Sequence, residues 1–413
     1  YEVYRCDWSS DVCSSDLETG PGTILHDFQA VLDYIGLQGI EVSNKTQFFP
    51  LKVLPDINQR FSHPIQIDLQ RPQAKSYPHI QAIYLLLRTS GLAYVETRQV
   101  KGKKQQLLVL NQTILQSWES LNPTERYFNL LEAWLIWGHA EILGERYQWN
   151  GLFTLMMFLT RIPDKGRKVP NYEEQKAFNY IPGLYQLALL ELFGLLLVQS
   201  GKPEPGKGWR IKSLKRLPWG DVLLLFLFLK TQKDGIPAET EGEEVKVEEP
   251  EVEGAFGTWQ VAFQPYFPEW QHNLIIPQQE FRNGIYVFKV SLGKIWRCIA
   301  IPAKCTLDDL AYAILDSVNF DADHLYLFSY KNRHGWTVEV YHPYSQEYPS
   351  TDEFCIGDLS LEEGQSMRFL FDFGDNWKFN VQLEKIEPVN SKIRNPKVLE
   401  SHGQAPEQYG SWE

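Results

Sequence analysis

One stretch of this sequence is too charged and too poor in apolar side chains to form a packed core. Residues 238–253 read AETEGEEVKVEEPEVE, with eight glutamates, one lysine and no aromatic side chain. A net charge of −7 over sixteen residues keeps such a segment solvated and self-repelling. We therefore interpret residues 236–257 as an acidic linker that divides this chain of 413 residues into an N-terminal region and a C-terminal domain.

Charge differs sharply between the two sides of this linker. The formal net charge of the whole chain is −12, which by itself disfavours a nucleic-acid binder because such proteins usually carry a basic balance. Counted by segment, however, residues 18–237 carry +6 and residues 254–413 carry −8. The sequence thus predicts a basic region joined to an acidic domain, and nucleic acid stays open as a partner of the basic region.

The N-terminal end and the apolar runs bound the class of protein. Residues 7–17 are similar to the translation of a widely used sequencing adapter, so residues 1–17 are excluded from the fold prediction; a short polar tail is the alternative. The longest apolar runs, 187–198 and 222–229, are shorter than the roughly 20 residues that a membrane span needs. Since no secretory signal is recognisable, we expect a cytoplasmic protein with no membrane partner.

Residues 18–235 predict a mainly α-helical region that contains two similar helix–hairpin units, at about 77–120 and 183–230. In each unit an apolar helix ends at a glycine, Gly91 or Gly194, and a strand, a basic turn, a second strand and another helix follow. This is the element order of a winged helix, in which one helix enters a DNA groove and the turn, or wing, contacts phosphates. We therefore expect two winged-helix-like units.

Basic side chains cluster at the two predicted wings, where contacts to phosphate would strengthen binding through counterion release. The same residues also suit a solvated hairpin tip that protects strand edges, and winged helices also dock proteins. The expected partner is accordingly DNA, bound by residues 18–237, or a protein. The candidate nucleic-acid ligands are Arg88, Arg98, Lys101, Lys103, Lys104, Lys202, Lys207, Arg210 and Lys212.

The C-terminal domain, residues 258–413, predicts an α+β fold. Residues 285–292 and 295–301 indicate a hairpin, and Thr306 is placed as the N-cap of a helix that ends near Val318. Between residues 367 and 386 apolar and polar side chains alternate, which puts Phe369, Phe371 and Phe373 on one face of a strand. Such alternation is typical of an antiparallel sheet with one buried face, against which the helices pack.

Five short motifs lie within this domain: VFKV (287–290) with Trp296-Arg297, TLDDL (306–310), HLYLF (324–328), FDFGDNW (371–377) and GQAPE (403–407). Together they resemble the Ri-plasmid open-reading-frame-three-like family, some members of which carry the label of insertion-element passenger protein of TnpR type. The resemblance covers about residues 275–410 and implies a small α+β domain without an established activity; some relatives are fused to a DNA-binding winged helix. The family-motif residues singled out are Phe371, Asp372, Phe373, Gly374, Asp375 and Trp377.

The resemblance is incomplete at the C-terminal end. The family usually continues from its Pro-Glu pair into a Cys-Gly-Gly segment, whereas Gln408 and Tyr409 follow here. We therefore expect a truncated C-terminus. The residue sets of serine and tyrosine recombinases are not recognisable in either region, so the TnpR label is expected to reflect gene neighbourhood and not chemistry.

Two acidic residues of the FDFGDNW motif have two interpretations. Asp372 and Asp375 flank Gly374, and a carboxylate pair could bind a divalent cation or share a proton. Alternatively, Asp375 and Asn376 shape a turn by bonding backbone amides while Gly374 supplies a positive φ. The turn is the favoured interpretation, because glycine, aspartate and asparagine are ordinary turn residues.

Histidines and cysteines are scattered through the C-terminal domain, at His324, His342, Cys298, Cys305 and Cys355. They show neither the Cys-x-x-Cys nor the His-x-x-x-His spacing that zinc sites usually show. We therefore expect reduced, mostly buried thiols and no metal or cofactor.

The sequence thus predicts a non-enzymatic protein of plasmid or mobile-element type. Its basic N-terminal region would bind nucleic acid or a protein, and its acidic C-terminal domain would act as an interaction module. The alternative is an uncharacterised hydrolase or metal-dependent enzyme that uses Asp372 and Asp375. A further alternative is that the acidic segments fold back and mask the basic region.

Overall fold

The computed structural model divides the chain into two compact units, of which the first ends at Pro277 and the second begins at Gln278. Residues 1–17, the acidic segment 238–253 and Lys101 lie outside the residues that it describes. The boundary lies later than residue 258, where the sequence starts the C-terminal domain, because residues 256–277 pack with the first unit. The described residues are 22–43, 46–100, 103–144, 152–233, 256–277, 280–332, 334–335, 337–345 and 347–409.

The first half of the N-terminal unit combines helices with a small antiparallel sheet. Its elements are α1 (Ile24–Ile35), β1 (Ile40–Glu41), α2 (Leu54–Gln59), α3 (Pro78–Thr89), β2 (Ala93–Val100), β3 (Lys103–Leu110) and α4 (Gln112–Ser120), and α5 (Pro123–Leu135) follows. The two-residue strand β1 pairs with β3, so the strand order is β1-β3-β2. The order α3-β2-β3-α4 is the one predicted for residues 77–120.

The second half repeats this order of elements. Its elements are α6 (Leu152–Thr160), β4 (Arg167–Lys168), α7 (Tyr172–Gln175), α8 (Leu184–Leu192), β5 (Leu196–Gly201), β6 (Arg210–Arg216) and α9 (Pro218–Lys233). The short strand β4 pairs with β6, so the strand order β4-β6-β5 matches that of the first half. The order α8-β5-β6-α9 is the one predicted for residues 183–230.

Helices α3 and α8, the first helices of the two predicted helix–hairpin units, pack against each other. All twelve residues of α3 are buried, and so is α8 except at Leu184 and Glu191. Each helix ends shortly before a glycine in the left-handed region, Gly91 at φ +70° and Gly194 at φ +69°. Apolar residues all round a helix favour burial, so the composition that predicts each helix also removes it from solvent.

Residues 256–277, which we call the strap, contain the short helix α10 (Gln260–Phe263) and lie against α5. The strap is rich in aromatic residues, and its Phe263, Phe267 and Trp270 are fully buried. The N-terminal unit therefore includes chain from both sides of the acidic segment.

The C-terminal unit is an α+β structure, as the sequence predicts, built on one seven-stranded antiparallel sheet. Its elements are β7 (Ile285–Leu292), β8 (Ile295–Pro302), α11 (Leu307–Val318), β9 (Tyr326–Lys331), β10 (Thr337–Tyr341), β11 (Ser366–Phe371), β12 (Trp377–Glu387) and β13 (Lys397–His402). The strand order is β10-β9-β11-β12-β7-β8-β13. Helix α11 packs into the main apolar core through Leu307, Leu310 and Ile314.

The start of α11 confirms the predicted N-cap. The hydroxyl oxygen of Thr306 accepts a hydrogen bond from the Asp309 amide at 3.1 Å, and the Asp309 carboxylate accepts one from the Thr306 amide at 2.9 Å. This reciprocal pair satisfies two amides that would otherwise lack partners at the helix start. Among the described residues, no helix has the length and apolar character that crossing a bilayer requires.

Candidate functional site

The N-terminal unit carries a broad basic groove of about 1230 Å³. One wall is residues 62–65 of the first half, and the other is the sheet of β4, β5 and β6 in the second half. Uncharged polar groups of Gln199, Ser200 and Ser213 line it as well. Its four basic residues are Lys165, Arg167, Lys168 and Lys215.

The charge of the basic groove is strongly one-sided. Within the described part of the chain, none of its four basic side chains takes part in an ion pair. Glu191 also lines the groove, but its carboxylate is bonded to His79 Nε2 at 2.8 Å. A concave surface with this charge attracts anions and concentrates them locally.

Three of the predicted ligands lie on the hairpin of β5 and β6, whose strands also line the basic groove. Lys202, Lys207 and Lys212 are all exposed there. Tyr172 stabilises the hairpin, because its Oη donates a hydrogen bond to the Gly208 carbonyl at 2.7 Å. The ammonium of Lys207 lies over the same tyrosine ring, 6.0 Å from its centre. These lysines are therefore displayed on a supported hairpin.

Two predicted ligands are buried, which corrects the prediction for them. Arg210 donates hydrogen bonds to the carbonyl oxygens of Val169 at 2.7 Å and Pro170 at 2.8 Å. Arg88 is likewise buried in α3, where it donates to Tyr84 Oη at 2.9 Å. A buried arginine that supplies the missing partners of backbone carbonyls stabilises the fold and is not presented to a phosphate.

The other predicted nucleic-acid ligands of the first half are Arg98, Lys101, Lys103 and Lys104, and the structure shows a side-chain contact for Arg98 alone among them. The guanidinium of Arg98 forms an ion pair with Glu96 on the same strand, which offsets its charge. Lys103 and Lys104 lie in β3 opposite Val100 and Gln99, and for them only the backbone is described. Lys101 falls outside the described residues.

The basic residues of the groove, Lys165, Arg167, Lys168 and Lys215, lie outside the predicted wings and are not among the predicted ligands. The signal that could have found them is compositional, because residues 161–220 hold eleven basic and five acidic residues. Only the pairing of β4 with β6 brings residues 165–168 next to Lys215. Such pairing of a two-residue strand leaves no recognisable pattern in the sequence.

In the C-terminal unit, Asp372 holds the turn of the FDFGDNW motif. Its Oδ1 accepts hydrogen bonds from the amides of Gly374 at 2.8 Å and Asp375 at 3.3 Å. The positive φ angles lie at Asp372 (+55°) and Asn376 (+62°), and not at Gly374 as the sequence suggested. Because Asp372 turns the chain out of the strand, Phe373 is 51% exposed and is not on the strand face predicted for it.

The motif's other apolar residues belong to the core. Phe371 is fully buried at the end of β11 and pairs in register with Trp377 at the start of β12. The ring of Trp377 packs against Phe320, with 4.9 Å between ring centres. The motif is therefore mainly a folding element, a sharp hairpin between two central strands.

One titratable side chain faces the motif. His324 Nε2 lies 3.5 Å from the free Oδ2 of Asp372 and 4.0 Å from Asp323 Oδ2. Asp323 is in turn held by the Tyr409 hydroxyl at 2.5 Å. Asp372 Oδ1 is thus engaged by the turn, as the favoured turn interpretation of the motif requires, while its Oδ2 faces His324.

The scattered cysteines and His342 of the C-terminal unit lie in separate surroundings. Cys298, Cys305 and Cys355 are free thiols, and burial raises the pKa of each, to about 11 for Cys305. His342 is buried against Tyr326, and burial lowers its pKa. Across the part of the chain that the structure describes, no three histidine, cysteine or carboxylate side chains are grouped as a metal site.

The hairpin of β11 and β12 and the capped helix α11 both lie in a stretch that matches a known family. Residues 284–411 match the family of plasmid pRiA4b ORF-3-like proteins. This confirms the resemblance seen in the motifs. The chain is also similar to a solved structure, a protein of unknown function from Methanosarcina mazei Go1. The identity is 27%, the match covers 30% of this chain and 73% of that one, and the TM-score is 0.28. No curated protein matches the sequence.

Proposed function

We propose that the N-terminal unit binds nucleic acid and that its basic groove contacts the phosphate backbone of the nucleic acid. The observation that carries this proposal is the convergence of Lys165, Arg167, Lys168 and Lys215 on one concave surface, where none of them has an ion-pair partner among the described residues. The exposed Lys202, Lys207 and Lys212 continue the same charge along the adjoining hairpin.

In this proposal each half of the unit is a winged helix whose groove-reading helix has been turned inward. The burial of α3 and α8 supports this view, because neither helix can offer side chains to base edges. Lysine contacts to phosphate position a protein on nucleic acid but carry no sequence information. We therefore expect binding that is strongly dependent on salt and weakly dependent on sequence.

The C-terminal unit, which we call the ORF-3-like unit because it contains residues 284–411, is proposed to be an interaction module of a cytoplasmic, plasmid-type protein and not an enzyme. Support comes from its net acidity and from Asp372, whose Oδ1 is engaged by two turn amides. The alternative partner of the N-terminal unit is a protein. That alternative is favoured if the N-terminal unit fails to bind duplex DNA in the following experiment.

The test is fluorescence anisotropy of a labelled duplex with the full chain at several salt concentrations. The logarithm of affinity should fall linearly with the logarithm of salt, by about 0.9 per phosphate contacted. Replacing both Lys168→Glu and Lys215→Glu should lower that slope by about 2. The matched control Lys294→Glu, on the exposed turn between β7 and β8, should leave it unchanged. Absence of binding at low salt would sink the proposal.

A further inference from the structure

Helix α5 presents buried carboxylates to the backbone of the strap. Glu132 is wholly buried, and its two oxygens accept hydrogen bonds from two amides, Gly257 at 2.6 Å and Trp259 at 2.7 Å. Hydrogen bonds made out of water are electrostatically stronger than exposed ones. This carboxylate therefore fixes the start of the strap.

A second carboxylate of the same helix fixes the end of the strap. Glu125 Oε1 accepts hydrogen bonds from the amides of Gln271 at 3.0 Å and His272 at 2.7 Å. Between the two glutamates, Asn129 Oδ1 accepts one from the Leu274 amide at 2.8 Å. Residues 125, 129 and 132 lie on one face of a helix, so α5 offers a row of acceptors to a peptide backbone.

Aromatic side chains anchor the middle of the strap. The ring of Trp270 stacks on Phe128 of α5, with 4.4 Å between ring centres and 7° between planes. Phe267 packs on the same phenylalanine at 4.9 Å and on Trp219 of α9 at 5.9 Å. Large buried aromatic residues at the centre of a contact usually supply most of its affinity.

From these contacts we infer that α5 and α9 form a peptide-docking surface, and that its occupant is the chain's own strap. The row of carboxyl and amide oxygens recognises backbone amides, and the aromatic cluster recognises Phe267 and Trp270. The contacts themselves hold the strap, and with it the chain that leads into the ORF-3-like unit. Covalent continuity through the acidic segment 238–253 is not required for that attachment.

The experiment cuts the full-length protein at a protease site introduced within residues 238–253. After complete cleavage, size-exclusion chromatography at micromolar concentration should show both fragments in one peak. Trp270→Ala should weaken this retention by at least about thirtyfold, as expected for a central aromatic anchor. The control Val261→Ala, a strap position that is 84% exposed, should retain both fragments.

Two further measurements keep the result interpretable. Circular dichroism of uncut Trp270→Ala should match that of the wild type, so that separation reports on docking and not on unfolding. Excess synthetic peptide of residues 256–277 should displace the C-terminal fragment from the cut wild-type protein, and the same peptide with Trp270→Ala should not. Separation of the wild-type fragments overturns the inference, and so does retention that resists both Trp270→Ala and the peptide.

Discussion

The two halves of the N-terminal unit share one order of helices and strands but leave different surfaces open. In the first half, the hairpin of β2 and β3 carries Arg98 already paired with Glu96, and its helix α3 is wholly buried. In the second half, the sheet forms one wall of the basic groove, whose four basic side chains lack ion-pair partners among the described residues. The two halves thus share an order of elements and differ in uncovered charge, and the proposed binding surface rests on that difference.

The halves are joined where α3 and α8 meet. His79 of α3 bonds to Glu191 of α8, and this glutamate also lines the basic groove. Packing of the two helices thus has two effects at once, since it removes both from solvent and places one acidic group at the groove. The following predictions test how separate the roles of the two halves are.

The largest expected effect is on the stability of the second half. Arg210→Met should lower the free energy of unfolding by about 2–4 kcal/mol, because the carbonyls of Val169 and Pro170 lose buried donors. Lys212→Met, an exposed position on the same strand, should change it by less than about 0.5 kcal/mol. Urea unfolding measures both. Weakened DNA binding by Arg210→Met without lost stability would mean that this arginine is a ligand after all.

Next in size is a pH effect on α5, which lies between the halves. Burial raises the pKa of Glu132 to about 7, from an ordinary value of 4.5, against the opposing hydrogen bonds from strap amides. The folded state then favours the neutral acid, so this stabilisation is present below pH 4.5 and is lost as pH rises to about 7. Relative to Glu132→Gln, the wild type should lose about 3 kcal/mol across that range.

Glu125, on the same helix, should show the opposite pH dependence. Burial alone would raise its pKa, but the backbone hydrogen bonds of Asn122, His272 and Gln271 outweigh it, so the pKa is lowered. Its contribution is therefore present above pH 4.5 and is lost as pH falls. Unfolding curves of Glu125→Gln and Glu132→Gln between pH 3 and 8 should thus have pH slopes that depart from the wild type in opposite directions. Identical slopes would contradict this account of α5.

A smaller effect is expected at the contact between the halves. Glu191→Gln should lower the free energy of unfolding by about 1 kcal/mol, because the hydrogen bond to His79 loses its charged acceptor. The same change removes a negative charge from the basic groove, so DNA affinity should rise by less than about tenfold. Anisotropy at low salt measures the second effect. A fall in affinity would indicate that Glu191 orients a groove residue.

Local patterns predicted much of this fold. The apolar helices that end at Gly91 and Gly194, the two hairpins and the N-cap at Thr306 depend on short-range chemistry, which the sequence displays. The strand β13 was missed because all six of its residues are exposed and show no alternation. The break at Asp372 was missed as well, since an aspartate with positive φ looks like any other residue of a strand in the sequence.

The candidate site depended more on tertiary structure. The excess of basic residues in 161–220 is visible in the sequence, but the sequence could not show that Arg88 and Arg210 would be buried. Nor could it show that residues 256–277 pack against α5, because Glu132 and Gly257 lie on opposite sides of the acidic segment in the sequence. Contacts between residues that are distant in the sequence depend on tertiary packing, which a local sequence pattern does not show.

The most direct test of the central claim is lysine acetylation of the full chain with and without duplex DNA, read by mass spectrometry. The second half should be protected, with reduced labelling of Lys165, Lys168 and Lys215, while the exposed Lys52 and Lys75 of the first half keep their reactivity. Protection of Lys52 and Lys75 with the groove lysines still fully reactive would contradict the assignment of binding to the basic groove.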